Sequence, residues 1–277
     1  MKLDWKHILA LRSSLGSKEF IGVLKFVIEM KVALDGDVSE MPIVLNEILH
    51  KAPNLIEMII YNCNRREIFL TQSPKKGEDG MLLRILTLSN VSTIRSIQTQ
   101  NSSWLNTICE KVHQLNVCRC PCVETIGVHS TSRMSFSFLK KVVVQGCPRL
   151  QYLFTSSVAK KLVNLKEIIV KECESLKEIV AKEEDEDKPK GKGEHKYENK
   201  MIFMKLENLT LISLDKIERF YTGSSTLNFP CLKIVRFDKC FRTKLFRRCD
   251  IISSEVSVVI DENLPYKGYT KALIMQK

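Results

Sequence analysis

Apolar residues recur along this chain with a fixed set of gaps. From Leu165, further apolar residues or cysteine stand three, five, eight, eleven and fourteen positions on, at Ile168, Val170, Cys173, Leu176 and Ile179. The same ladder fits Leu139, Val142, Val144, Cys147, Leu150 and Leu153 without a shift, and before it Val112, Leu115, Val117, Cys120, Val123 and Ile126. Earlier copies are Leu83, Leu86, Leu88, Val91, Ile94 and Ile97, then Leu55, Met58, Ile60, Cys63 and Phe69, where Arg66 breaks the series. Later copies are Leu206, Leu209, Leu211, Leu214, Ile217 and Phe220, then Leu232, Val235, Phe237, Cys240 and Phe246, where Thr243 is the break. Of 42 ladder positions 40 are apolar, whereas the overall hydrophobic content of 44% predicts about 18. Apolar residues two apart share one face of a strand, so each copy predicts one short strand with Val142 and Val144 inward and Lys141, Val143 and Gln145 outward.

A single copy is too short to bury its apolar face alone, and only stacking of successive copies closes a core. Copies begin 28, 29, 27, 26, 41 and 26 residues apart. The pattern therefore predicts an α/β solenoid, a leucine-rich-repeat horseshoe with a curved parallel β-sheet on its concave face. The convex side is expected to close through irregular turns or a short helix, such as SSVAKKLVNL at 156–165. The one long interval holds AKEEDEDKPKGKGEHKYENK at 181–200, almost devoid of apolar residues and expected to be a disordered charged insert.

Three regions follow. Residues 1–50 are expected to hold a degenerate repeat or cap, in which Val23, Phe26, Ile28 and Leu34 fit the ladder with Lys31 out of place. Residues 51–246 hold the repeats, and 247–277 form a cap or tail in which SEVSVVI is expected to add a last strand.

The net charge of +11 favours acidic partners without fixing the fold. Asp4, Lys6, His7 and Arg12 interrupt the stretch an export signal would need, and Lys25, Glu29 and Lys31 break the longest apolar tract. No secretion and no membrane association are expected. The ten cysteines are then read as reduced thiols of a cytosolic or nuclear protein. Five of them, Cys63, Cys120, Cys147, Cys173 and Cys240, occupy one ladder position. A small buried side chain with a weak S–H donor suits the bend after a strand, where it meets backbone carbonyls.

Catalytic chemistry finds no support. Cys118, Cys120 and Cys122 with His113 nearby form the one candidate metal cluster, but zinc sites need paired C-x₂₋₄-C spacings, and strand geometry sends Cys118 to the exposed face whereas Cys120 belongs to the ladder. The five histidines are scattered, no G-x-S-x-G elbow occurs, and Gly191-Lys192 lacks the rest of a phosphate-binding loop. The run Glu183–Asp187 is too exposed to hold an acid/base pair. No enzymatic activity, cofactor or metal is expected.

The segments CPRLQYLFTSSVAKKLVNLKEIIVKECESLKEIVAKEEDED and KLENLTLISLDKIERFYTGSSTLNFPCLKIVRFDKC resemble the leucine-rich-repeat region of plant disease-resistance receptors of the coiled-coil nucleotide-binding class. The shared features are Cys-Pro-x-Leu, an L-x-E-I-V-x-x-E-like ending and an acidic insert, firm over 139–246 and looser over 50–138. The resemblance implies a role in plant defence, with a pathogen effector, a guarded host protein or a nucleotide-binding switch domain as protein partner. Neither a coiled coil nor a nucleotide-binding module is present in this sequence, so the expectation is a recognition arm, either a receptor fragment or a truncated product.

Strand geometry supplies the candidate binding residues. On the best-matched copies these are Lys141, Val143 and Gln145, then Glu167, Ile169 and Lys171, then Asn208, Thr210 and Ile212, then Ile234, Arg236 and Asp238. Their mixed charge, with Tyr61 the one strand-face aromatic, argues against a nucleic-acid track. An alternative reading is substrate recruitment for an F-box-type ubiquitin ligase. It would need an adaptor-binding helical module, for which residues 1–50 are the available place.

Overall fold

In the computed structural model the chain is described over residues 1–33, 48, 51–64, 82–98, 104–128, 136–183, 200–223, 226–240, 249–250 and 256–260. The ladder positions at Arg66, Phe69, Thr243 and Phe246, and nearly all of the charged insert, lie outside the described residues.

Ten strands form one sheet, and every pairing in it is parallel. In spatial and chain order they are Lys2–Asp4, Glu29–Ala33, Glu57–Tyr61, Ile85–Ser89, Gln114–Cys118, Lys141–Gln145, Glu167–Lys171, Asn208–Ile212, Ile234–Asp238 and Ser257–Ile260. Each coil therefore stacks on the one before it, and the molecule is the leucine-rich-repeat solenoid that the ladder predicts. Registers match the repeat numbering: Val142 lies between Leu115 and Ile168, and Val144 between Val117 and Val170. Burial alternates along the strands, with the two inward residues of Lys141–Gln145 and of Glu167–Lys171 fully enclosed. All six ladder residues from Leu139 to Leu153 are 0% exposed. Removing each such side chain from water contributes roughly 1.5–3 kcal/mol.

The bend after each strand is made by a left-handed residue. Asn62, Asn90, Arg119, Glu172, Ser213 and Lys239 have φ between 49° and 55°, and Gly146 has φ 65°. A lone residue in this region is tolerated when neighbouring contacts hold it there. Here the bend amides from Asn62 to Ser213 donate across to the next coil, for example Arg119 to Gln145 at 2.8 Å and Ser213 to Asp238 at 2.8 Å. Glycine has a reason at 146 beyond its φ, because a Cβ there would stand 3.4 Å from the Arg119 Cγ.

A row of core residues missed by the six-position ladder lies three residues before six of the seven repeat starts. It comprises Ala52, Cys109, Phe136, Leu162, Phe203 and Phe229, none more than 1% exposed. Most of their carbonyls accept from the amide three residues on, as in Leu139 to Phe136 at 3.0 Å and Leu165 to Leu162 at 3.2 Å. These turns return the chain to the sheet.

The convex side differs from expectation in being partly sheet. Ser96–Gln98, Thr125–Gly127, Phe154–Thr155, Glu178–Ala181 and Arg219–Tyr221 form a five-stranded layer, and Lys200–Ile202, Thr226–Asn228 and Cys249–Asp250 a three-stranded one. The helix expected over 156–165 is only Ser156–Ala159, after which tight turns bring Leu162 and Leu165 into the core.

At the amino end the expected register is corrected. Met30 pairs between Leu3 and Met58, which makes Val27, Met30 and Val32 the ladder residues instead of Val23, Phe26 and Ile28. Val27 and Met30 are 0% exposed, while Phe26 is 71% and Ile28 47% exposed. Lys31 then falls on the open face beside Ile59, so it is not a defect. Two helices, Trp5–Ser14 and Ser17–Leu24, close this first coil. Asp4 caps the first by accepting from the His7 amide at 2.9 Å, and Glu19 accepts from the Gly16 amide at 3.0 Å at the start of the second. At the other end the expected last strand is present as Ser257–Ile260, paired with Ile234–Asp238.

Candidate protein-binding face

The twelve residues read from strand geometry form a grid of three rows on four adjacent strands. One row is Lys141, Glu167, Asn208 and Ile234, the middle row Val143, Ile169, Thr210 and Arg236, and the third Gln145, Lys171, Ile212 and Asp238. All twelve are part-exposed or exposed, and none is buried. With strands about 4.8 Å apart and same-face residues about 6.7 Å apart, the grid measures roughly 14 by 13 Å between side-chain origins.

The grid mixes chemistry. Lys141 pairs with Glu167 on the next strand at 2.8 Å, and Gln145 donates through Nε2 to Glu172 Oε2 at 3.2 Å. Between them Val143 and Ile169 stand side by side in register. Charge is confined to the outer rows and to Arg236 at the end of the middle row. Carboxylates among the cations, Glu167 and Asp238, leave no continuous phosphate track on this face. Apolar Val143, Ile169, Ile212 and Ile234 thus stand among polar and charged neighbours on one face.

A stable protein interface covers about 800 Å² per partner, several times the grid's area, so any partner must extend beyond it. The adjoining strands continue the same rows through Gln114, Asn116 and Cys118, then Ile85, Thr87 and Ser89. Here the face is more polar, with Asn116 Nδ2 donating to Thr87 Oγ1 at 2.9 Å and Gln114 Nε2 to Asn116 Oδ1 at 3.0 Å. These residues have the same repeat offsets as the predicted ones and were legible by the same rule. Restricting the candidates to the best-matched copies left them out.

The cysteines sort by position. Cys63, Cys120, Cys147 and Cys173 are buried, and Cys240 is half-buried. The sulfurs of Cys120, Cys147 and Cys240 reach two carbonyls each: Cys120 meets Cys118 O at 3.4 Å and Leu88 O at 3.7 Å, and Cys240 meets Asp238 O at 3.4 Å and Leu211 O at 3.5 Å. The thiol thus links the bend of its own coil to the strand of the coil before it. Cys118 lies on the open face, Cys120 in the ladder, and Cys122 on the turn beyond. These three side chains do not converge, and among the described residues no group of His, Cys, Asp and Glu is arranged to hold a metal ion.

Burial pushes the Cys240 thiol up to about 11 and raises Cys109 further, while a hydrogen bond with Cys147 followed by burial raises Cys120. The thiolate is the reactive form, so these groups are protected twice, by access and by protonation. Among the described cysteines, exposed Cys231 is expected to react first with iodoacetamide at pH 8, the half-buried Cys118, Cys122 and Cys240 more slowly, and the buried cysteines only on unfolding. Mass spectrometry of timed quenches reads this order. Alkylation of Cys120 or Cys147 at the rate of Cys231 would contradict the burial described.

Among the described residues no helix is long and apolar enough to cross a membrane. A search among curated proteins finds no match. A family model described as plant disease resistance protein RPS2-like, leucine-rich repeats, matches residues 127–246. That segment contains all four strands of the grid in full. Over this stretch, somewhat under half of its length, the chain is similar to the leucine-rich repeats of RPS2-like plant disease resistance proteins.

Proposed function

We propose that this chain is the recognition arm of an intracellular plant immune receptor and binds a protein partner on the inner face of its sheet. The observation that carries the reading is the grid itself. Twelve residues from four repeats are brought into register on an uncovered sheet face, within the segment similar to resistance-protein repeats. A rigid parallel sheet holds such residues at fixed spacing, so little ordering entropy is lost on binding. The partner is a pathogen effector, a guarded host protein or a nucleotide-binding switch domain, met in the cytosol or nucleus. Binding alone accounts for the role, with no catalysis and no cofactor.

The ubiquitin-ligase alternative gains no support from the amino-terminal region. Residues 1–33 join the sheet through two strands, and their two short helices close the first coil.

Ile169→Glu together with Thr210→Arg changes the centre of the grid without touching the core. Proximity labelling in plant leaf cells, compared between the native chain and this double variant at equal thermal midpoint, is expected to show protein partners depleted at least about tenfold. Partners retained at full level by the variant, and lost instead by convex-side substitutions, would sink the reading.

A further inference from the structure

The amino-terminal rim of the sheet carries a second surface, distinct from the inner face. One residue precedes each strand, and its amide donates to the carbonyl of its counterpart one coil back. The series runs from Ile56 to Ile28, Arg84 to Ile56, His113 to Arg84, Lys140 to His113 and Lys166 to Lys140, each at 2.8 Å. These residues are therefore direct neighbours on successive rungs, about 4.8 Å apart.

Four consecutive rungs carry Arg84, His113, Lys140 and Lys166. Like charges on facing strand positions destabilise a sheet. Among the described residues no carboxylate pairs with Arg84, His113 or Lys140. The row meets its first acid at Glu207, which takes Lys166 at 3.5 Å and Lys233 at 2.7 Å. The uncompensated field is felt locally: burial first, then the Lys140 and Arg84 charges, hold the His113 imidazole below its ordinary range.

The adjoining rungs toward the amino end are apolar and uncovered. Ile56 is 41% and Ile28 47% exposed, and Phe26, two residues before Ile28, is 71% exposed. A run of exposed large apolar side chains at one edge marks an interaction surface. Basic and apolar sectors thus lie end to end along a single line.

We propose that this rim docks an amphipathic α-helix of a partner protein, its carboxylates on successive turns against Arg84 to Lys166 and its apolar residues on the following turns against Ile56 and Ile28. The spacing selects a helix. Successive turns advance about 5.4 Å, close to the rung spacing, whereas same-side residues of an extended peptide advance about 6.7 Å and fall out of step within three rungs. From Ile28 to Lys166 the line covers about 24 Å, the length of a helix of about 16 residues. A single helix also fits the charges beside the rim. The row just inside it holds Glu29, Glu57 and Glu167, which would repel a plane of lipid phosphates but stand clear of one helix.

The test uses the full chain and a fluorescein-labelled, alanine-based 16-residue helical peptide with Glu on three successive turns followed by Leu on two. A second peptide carries Lys in place of Glu. Anisotropy titrations are expected to show the Glu peptide binding and the Lys peptide not. Arg84→Glu with Lys140→Glu weakens the Glu peptide by at least about tenfold and creates binding to the Lys peptide, a gain that a misfolded variant could not show. Ile56→Ser weakens the Glu peptide, and Ile169→Glu on the inner face leaves it unchanged, which separates this surface from the proposed binding grid. Absence of binding to the Glu peptide, or binding indifferent to the charge reversal, overturns the proposal. So does flotation of the native chain with phosphatidylserine vesicles that is lost on charge reversal while the peptide is ignored, an outcome that would make the rim a lipid contact.

Discussion

Val144→Asp is expected to abolish cooperative folding of the central repeats, while Val143→Asp, the same change one residue earlier, leaves them folded. Val144 is 0% exposed and stacks between Val117 and Val170. A carboxylate placed there would meet only apolar neighbours, and an unpaired buried charge costs at least about 3–5 kcal/mol. Val143 points outward between Asn116 and Ile169, where water solvates the carboxylate and the change costs about 0.5 kcal/mol. Because each coil is stabilised chiefly by its neighbours, the loss at 144 propagates to both sides. Hydrogen exchange reads the result directly: protection at Leu115–Val117 and Ile168–Val170 disappears in the first variant and persists in the second. Equal protection in the two variants would show that the strand faces have been assigned wrongly.

Phe220→Ala is expected to lower stability by about 3–5 kcal/mol, near the top of the range for single core truncations. Phe220 lies in a three-ring cluster whose members are at most 1% exposed. Its ring centroid is 5.3 Å from Phe203 and 5.0 Å from Phe229, both edge-to-face, and Phe203 stacks on Phe229 at 5.4 Å. The two edge-to-face contacts contribute about 0.5–1.5 kcal/mol each beyond burial. The rings come from two coils on either side of the bend back to the sheet, so the alanine variant removes an inter-coil contact and leaves a void that rigid neighbours cannot fill. Val163→Ala, at a site 46% exposed, is the control and is expected to change stability by less than about 0.5 kcal/mol. The urea midpoint measures both. A loss at Phe220 no larger than at Val163 would mean the rings do not pack as described.

The particular successes and failures of sequence reading have separable causes. Strand positions such as Val142 and Val144 were legible because a two-residue spacing at a fixed place in each repeat admits one interpretation. The open-face grid followed from the same rule, since residues between ladder positions must point the other way. The cysteine position was legible as packing because recurrence at one offset is not what a catalytic or metal site produces. At the amino end the rule failed. Val23, Phe26 and Ile28 satisfy the ladder offsets as well as Val27, Met30 and Val32 do, and a local pattern cannot choose between two such registers. Pairing of Met30 with both Leu3 and Met58 chose. The row from Ala52 to Phe229 also has a sequence signal, three residues before six of the seven repeat starts, which a repeat opened at its ladder residue leaves out.

By itself, then, the sequence determined the coil length, the inward and outward residues of the strands from Glu57 to Asp238 and the sites of their bends, because these depend on periodicity within a few residues. Only the tertiary structure decided the convex layer. Short segments such as Phe154–Thr155 and Glu178–Ala181 have no strand signature of their own. They become strands because stacking coils at rung spacing sets their amides and carbonyls opposite one another, where pairing is the way to satisfy them. The basic and apolar rim has the same origin. Arg84, His113, Lys140 and Lys166 lie more than twenty residues apart in sequence, and only the solenoid's repeat places them on consecutive rungs.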